Sequence, residues 1–462
     1  MTYQDTLQSW FDARRREYGV VGASLALFSK GELESTAAGV LNLDTGVPVS
    51  TGSLFQIGSI SKVFTATLVM QLVDEGRLDL DCPVQRYLPG FAIADADASR
   101  LITVRQLLCH TSGMEGDFFP DDPRWSGAVS RYVEQCRLLP QLHPVGAYFS
   151  YCNSGFTVAG LLVELLTGQP WHVAVRERIF RPLGMAEAVC DPAELPRYSA
   201  AIGHVPRQDD AALSMVADRC FLPPGLGPAG AVLMMSATDL MRFACCHLYD
   251  GKVAPGDSVL SARSVQEMRQ AQLQLPAHFP LGATAWGLGW YLGETAGRRM
   301  FGHNGGTIGQ FAYLHVYPEH EFAICLLSNS RSAAFFSRIE EELLSQRLDI
   351  QAHPAPACAV QPRDFPPYCG RYQNLGGTLQ ISDRQGTLHA DFHSEIGDRL
   401  ASPLQALGDH CFITGGSDQQ PGLTLHFLGL DGGEAAYVLA GSRLLRRVDG
   451  TGVANKEGVP DA

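Results

Sequence analysis

The stretch "IGSISKVFTA" (residues 57–66) puts two serines and a lysine within four positions and runs on into "TLVMQLVDEG" (67–76). Phe64, Leu68 and Leu72 recur every four residues, which is helical periodicity. Gly76 supplies a stop, since glycine readily takes the left-handed conformation that ends helices. The spacing predicts one helix from about Ser59 to Glu75. Positions three apart on a helix share a face, whereas neighbours diverge. Ser59 therefore pairs with Lys62, and Ser61 points elsewhere. A serine hydroxyl is a poor nucleophile at neutral pH and needs a base beside it. Lysine serves once burial or a neighbouring cation lowers its pKa. S-x-x-K alone is a weak sign, because serine precedes lysine by three in many surface helices.

The chain around this stretch has 462 residues, too many for one ordinary core, which predicts a large domain plus a smaller one. Hydrophobic residues make up 45% and charged residues 18%, a globular composition. The net charge of −13 argues against nucleic acid or an anionic membrane as partner. No run of 18 apolar residues is present, so no membrane span is expected. The first residues, "MTYQDTLQSWFDARRREYG", lack an apolar h-region and read as an amphipathic surface helix, so a cytoplasmic location is expected. The 12 cysteines are scattered, with no C-x-x-C and no zinc spacing, and are expected to be buried free thiols. No metal or organic cofactor is implied, and oligomeric state leaves no signal.

Residues 22–40 alternate around "SKGE" and predict a β-hairpin. "ITVRQLLCHTSG" (102–113) predicts a short helix breaking into a loop. The aromatic, turn-rich stretch 115–130 reads equally as a substrate wall or as an ordinary surface loop. Helices are expected over 156–169, 236–251 and 332–348, and two strands over 310–330 around a Pro-Glu-His-Glu turn. Strands at both ends with helices between predict an α/β domain whose antiparallel sheet joins the two ends. Residues 351–364, rich in proline, read as a linker. Over 365–450, short alternating runs separated by glycines ("GTLQISD", "GTLHADFH", "GLTLHFLG", "AAYVLAG") predict a small antiparallel β-barrel or sandwich. Residues 451–462 read as a disordered tail.

Two further stretches join the first. "SYCNSG" contains Tyr151-x-Asn153, and "FGHNGGTIG" contains His303-x-Gly305. The ordered set S-x-x-K, Y-x-N and H-x-G resembles the serine β-lactamase and penicillin-binding protein superfamily, closest to its class C-like peptidases, esterases and acyltransferases. "LLCHTSG", "RPLGM" and "PAGAVLMMSATDLMRF" resemble family segments too, and the likeness runs over roughly residues 5–345. G-x-S-x-G and H-E-x-x-H are absent, which removes the common rival hydrolase motifs. The resemblance implies an antiparallel sheet flanked by helices plus an all-helical region over 1–350, and a lipocalin-like barrel over 365–450. It implies that Ser59 is acylated, that Lys62 deprotonates it or holds the proton network, and that Tyr151 shuttles a proton to the leaving group. Asn153 would hydrogen-bond the substrate amide and Lys62, and His303 would complete the wall opposite Tyr151. The backbone N–H groups of Ser59 and Gly306 would form the oxyanion hole, a donor pair suited to acyl transfer.

Many β-lactamases carry lysine where this chain has His303, which is largely neutral at pH 7. The histidine form resembles D-amino-acid peptidases, amidases and esterases. The expected activity is therefore a serine hydrolase acting through an acyl-enzyme on amides or esters. The alternative is a penicillin-binding-protein-type thioesterase or acyltransferase that releases or macrocyclises a nonribosomal peptide. The expected partner is a small acyl or peptidyl substrate and, in the alternative, a peptidyl carrier protein. Water or an amine as second nucleophile separates the two, and no motif encodes that choice.

Overall fold

The computed structural model describes residues 3–448 apart from 208–209, 211–212, 255–256, 296, 351–364, 396–398, 409, 417–421 and 431–432. The expected linker and tail lie outside the described residues.

Helix α1 (Tyr3–Glu17) leads into strands β1 (Gly22–Ser29) and β2 (Glu32–Gly39). Their turn, Lys30–Gly31, has φ of 49° and 93°. Positive φ at both positions gives a short turn the twist that matches a hairpin. The remaining sheet strands come late in the chain. They are β3 (Leu273–Gln274), β4 (Ala283–Trp286), β5 (Tyr291–Thr295), β6 (Arg298–Gly306), β7 (Phe311–Tyr317) and β8 (Phe322–Ser328). The eight strands form one antiparallel sheet in the order β3-β4-β5-β6-β7-β8-β1-β2. Ala23 stands opposite Ser328, so the sheet joins the early and late strands, as their positions predict.

Between these strands lies the helical region, centred on α2 (Ser61–Asp74) and α3 (Asn153–Thr167), which pack on each other. The helix expected from Ser59 starts later. Gly58–Ile60 is a 3-10 turn, and the α-helix runs from Ser61 to Asp74. The reason is close packing. Gly58 has φ of +52°, and a Cβ there would meet Gly306 N at 2.6 Å. The pairing of Ser59 with Lys62 survives, since residues three apart also align in a 3-10 turn. Every residue of α2 from Ser61 to Leu72 is buried, which explains an apolar character that runs around the whole helix. Helix α4 (Ala333–Leu348) follows β8, with the Ser332 hydroxyl capping its start by accepting from Phe335 N at 3.2 Å.

Eight further strands close into an antiparallel barrel. They are β9 (Gly370–Asn374), β10 (Gly377–Asp383), β11 (Leu388–Ser394), β12 (Arg399–Gly408), β13 (Cys411–Thr414), β14 (Thr424–Leu428), β15 (Tyr437–Ala440) and β16 (Arg443–Arg447). β9 pairs with both β10 and β16, which leaves no free edge. Val438 and Leu445 face the barrel core, while their neighbours Leu439 and Leu444 belong to the large core of the α/β body. Successive strand residues point to opposite faces, so the β15–β16 hairpin is buried on both sides. Every described cysteine is a free thiol. Among the described residues no helix is long and apolar enough to cross a membrane.

Candidate active site

The turn before α2 presents Ser59 part-exposed, while Ser61 is buried with no hydrogen-bond partner for its hydroxyl among the described residues. Lys62 Nζ donates to Ser59 Oγ at 3.0 Å and to the Ala229 carbonyl at 2.5 Å. Its ammonium position lies 4.7 Å from the centre of the Tyr151 ring. Burial pushes the Lys62 pKa well below the usual lysine range, and the Arg443 cation adds to that, with Asp117 opposing. A charged amine is costly in a low-dielectric interior. That environment disfavours the ammonium form and places the amine where it can exchange a proton with Ser59.

Tyr151 sits just before α3, whose first turn is capped by Cys152 Sγ accepting from Gly155 N at 3.2 Å. Burial raises the Tyr151 pKa, with the Ser59 hydroxyl and Arg443 acting the other way. The phenol stays protonated and can pass a hydrogen along. Its hydroxyl lies 3.5 Å from His303 Nε2. His303 Nδ1 faces the Asn304 carbonyl at 2.6 Å, which makes Nδ1 the N–H donor and Nε2 the acceptor. Burial, helped by Lys62, pulls the His303 pKa down to about 3, so the imidazole is neutral at pH 7.

β6 brings the third motif against the serine turn. A Cβ on Gly305 would come within 1.8 Å of the Ile57 carbonyl and 2.9 Å of Ser59 N. Only glycine permits that approach. The backbone of Gly306 thus stands beside the Ser59 turn.

Asn153 departs from expectation. Its amide N–H donates to Asp117 Oδ1 at 3.1 Å, while the contacts of Lys62 Nζ go to Ser59 and Ala229. Asp117 in turn receives Arg443 through Nε at 2.8 Å and Nη2 at 3.2 Å. Arg443 stacks over the Tyr151 ring at 4.5 Å and comes from β16 of the barrel. Sequence reasoning missed both charges. Asp117 lies in the 115–130 stretch, whose start forms a wall of the site, while Phe119 and Trp125 farther along are exposed. Backbone bonds fix the barrel here. Tyr151 N donates to the Ser442 carbonyl at 2.9 Å, Leu444 N to Ser150 Oγ at 3.2 Å, and Leu375 N to Glu115 Oε2 at 2.9 Å. Nothing local in "GSRLL" marks Arg443, and the contact spans 326 positions.

The arrangement joins a serine hydroxyl, a buried amine, a protonated phenol and a neutral imidazole, the parts of a nucleophilic acyl-transfer centre. Among the described residues no group of histidine, cysteine and acidic side chains is placed to hold a metal ion.

Comparison with known proteins agrees with this geometry. A family model described as "Beta-lactamase" matches residues 7–347. The chain is similar to penicillin-binding protein 4 of Amycolatopsis lactamdurans, 42% identical over 374 residues, covering 80% of this chain and 97% of that one. It is similar in structure to SurE solved with D-Leu, with a TM-score of 0.76 and 30% identity over 96% of this chain and 99% of that one. The D-amino acid amidase of Ochrobactrum anthropi SV3, solved with D-phenylalanine, matches with a TM-score of 0.60 and 26% identity over 72% of this chain and 94% of its own.

Proposed function

From the premise that this chain belongs to the beta-lactamase family of serine hydrolases, we propose that it acts through a Ser59 acyl-enzyme on amides or esters, of the D-amino-acid peptidase, amidase or esterase type. The observation that carries the reading is Lys62 Nζ at 3.0 Å from Ser59 Oγ, held in a site that disfavours its charge. Ser59 Oγ attacks the carbonyl carbon while its proton passes to Lys62. The tetrahedral oxyanion meets the N–H groups of Ser59 and Gly306. Tyr151 relays the proton to the departing amine or alcohol as the C–N or C–O bond breaks. Asn153 is held by Asp117 and offers its amide edge to the acyl side. Water then attacks the acyl-enzyme by the same relay in reverse. The D-residue preference is supported by the D-Leu and D-phenylalanine complexes of the structural neighbours.

The neutral His303 offers no permanent cation to a drug carboxylate, so efficient β-lactam turnover is not part of this reading.

A second reading is favoured by one observation. The barrel places Ser442 and Arg443 against Tyr151, where the second nucleophile must arrive. In this reading a peptidyl thioester, delivered by a carrier protein, acylates Ser59, and an amine of the same peptide displaces it to close a ring. Intact-mass analysis with a fluorophosphonate tests the shared step and is expected to give one adduct, on Ser59. An active enzyme with an adduct elsewhere sinks both readings. Products from D- and L-aminoacyl amides, simple esters and peptidyl thioesters then separate hydrolysis from cyclisation.

A further inference from the structure

Strand residues alternate in direction, so β6 presents Asn304 to the face opposite His303. That face carries a polar chain inside the core. Glu340 of α4 accepts from His315 Nδ1 at 2.5 Å, from the Tyr317 hydroxyl at 2.5 Å and from the Tyr313 hydroxyl. His315 is 2% exposed, and its Nε2 contacts the Tyr291 hydroxyl. Tyr291 donates to Asn304 Oδ1 at 3.0 Å. A phenol has one hydrogen. With that hydrogen on Asn304, the Tyr291 oxygen is left to accept from the His315 ring, which bridges the phenol and the Glu340 carboxylate through its two nitrogens. Burial acts to raise the Glu340 pKa, yet His315 and the two phenols hold it below the ordinary carboxylate value.

A buried polar chain around a carboxylate adds little stability over well-packed apolar residues, so its place in the core points to a task other than stability. The chain ends at the backbone that builds the site. Asn304 accepts His303 Nδ1–H through its carbonyl, and the next two residues press on Ile57 and Ser59. We propose that Glu340, His315 and Tyr291 are positioning residues that clamp Asn304 and so hold His303, Gly305 and Gly306 in register against Ser59. The clamp acts on acylation, not on substrate affinity, because Tyr291 and His315 are buried and reach the site only through His303 and Asn304.

This inference rests on the acyl-enzyme reading, and the experiment separates the two. Single-turnover acylation by p-nitrophenyl butyrate is measured for the full chain and for Tyr291→Phe, His315→Gln and His315→Leu, each checked for folding by thermal melting. Tyr291→Phe keeps the ring and loses the bond. It is expected to slow acylation about tenfold, with ester affinity within about twofold of the parent. His315→Gln retains an N–H donor toward Tyr291 and is expected to acylate several-fold faster than His315→Leu. Tyr291→Phe acylating within about twofold of the parent overturns the clamp, as do His315 variants slowed equally. If Tyr291→Phe does not fold, the His315 pair decides alone. A parent protein that is never acylated overturns the acyl-enzyme reading and the clamp with it.

Discussion

Two sets of residues meet at the Tyr151 ring, and they handle charge in opposite ways. The α/β body supplies Ser59, Lys62 and His303, and burial disfavours charge on the last two, with the Lys62 pKa driven well down and that of His303 to about 3. The barrel supplies Arg443, which keeps its charge. Burial works against the cation, but Asp117 outweighs it and the Arg443 pKa is raised. Asp117 itself belongs to the body, so the ion pair also joins the two units. The difference teaches that enclosure is the first cause that disfavours charge on the reactive groups, whereas a retained charge at the same depth needs a partner. The barrel is then more than an appendage. It adds a paired cation next to the catalytic amine and shifts that amine's proton affinity.

The largest expected effect tests whether the chemistry belongs to the body alone. Ser59→Ala is expected to lower turnover at least about a thousandfold with the fold intact, whereas Ser61→Ala stays within a few-fold. Steady-state rates with an activated ester check this, and comparable losses in both variants would break the assignment.

Next in size is the coupling inside the body. Lys62→Ala and Tyr151→Phe are each expected to cost about a hundredfold to ten-thousandfold. The double variant is expected to fall little below the worse single one, because groups in one proton path act as a unit. Fully additive activation free energies would show two separate roles.

The barrel's contribution is smaller and has a sign. In the proposed reading the neutral form of Lys62 is the base, so kcat/KM is expected to rise with pH through its folded pKa. Removing the Arg443 cation, by Arg443→Gln, relieves a cause that lowers this pKa and leaves Asp117 to raise it. The rising limb is expected to move to higher pH. Asp117→Asn removes a raising cause and is expected to move the limb the other way. A pH–rate profile unchanged in both variants would reduce the barrel to packing.

The smallest effect concerns His303. Lysine at this position is expected to improve an anionic ester over a neutral one by only a few-fold, since burial there disfavours the new charge. Rapid hydrolysis of benzylpenicillin by the parent protein would contradict a neutral third motif.

The first hairpin, the late pair β7–β8 and the helix that follows them were legible because each rests on local periodicity and turn chemistry, whereas β3–β6 were not read. Four runs were visible in the barrel where eight strands exist. The missed ones include β12, whose "RLASPLQALG" contains a proline and no strong alternation of apolar residues. The extra turn at Gly58–Ile60 was not legible, because it answers to glycines of β6 that lie far along the chain.

By itself the sequence determined the pairing of Ser59 with Lys62, since a spacing of three is a local property of any helical turn. It also determined the neutral histidine at the third motif and the alternation that makes β-strands of the C-terminal region. Only the tertiary structure decided that Asn153 turns to Asp117, that Asn304 is tied through Tyr291 and His315 to α4, and that Arg443 stands over Tyr151. The physical reason lies in the packing. Leu439 and Leu444 bury their side chains in the body's core, and that docking carries the neighbouring Arg443 into the site.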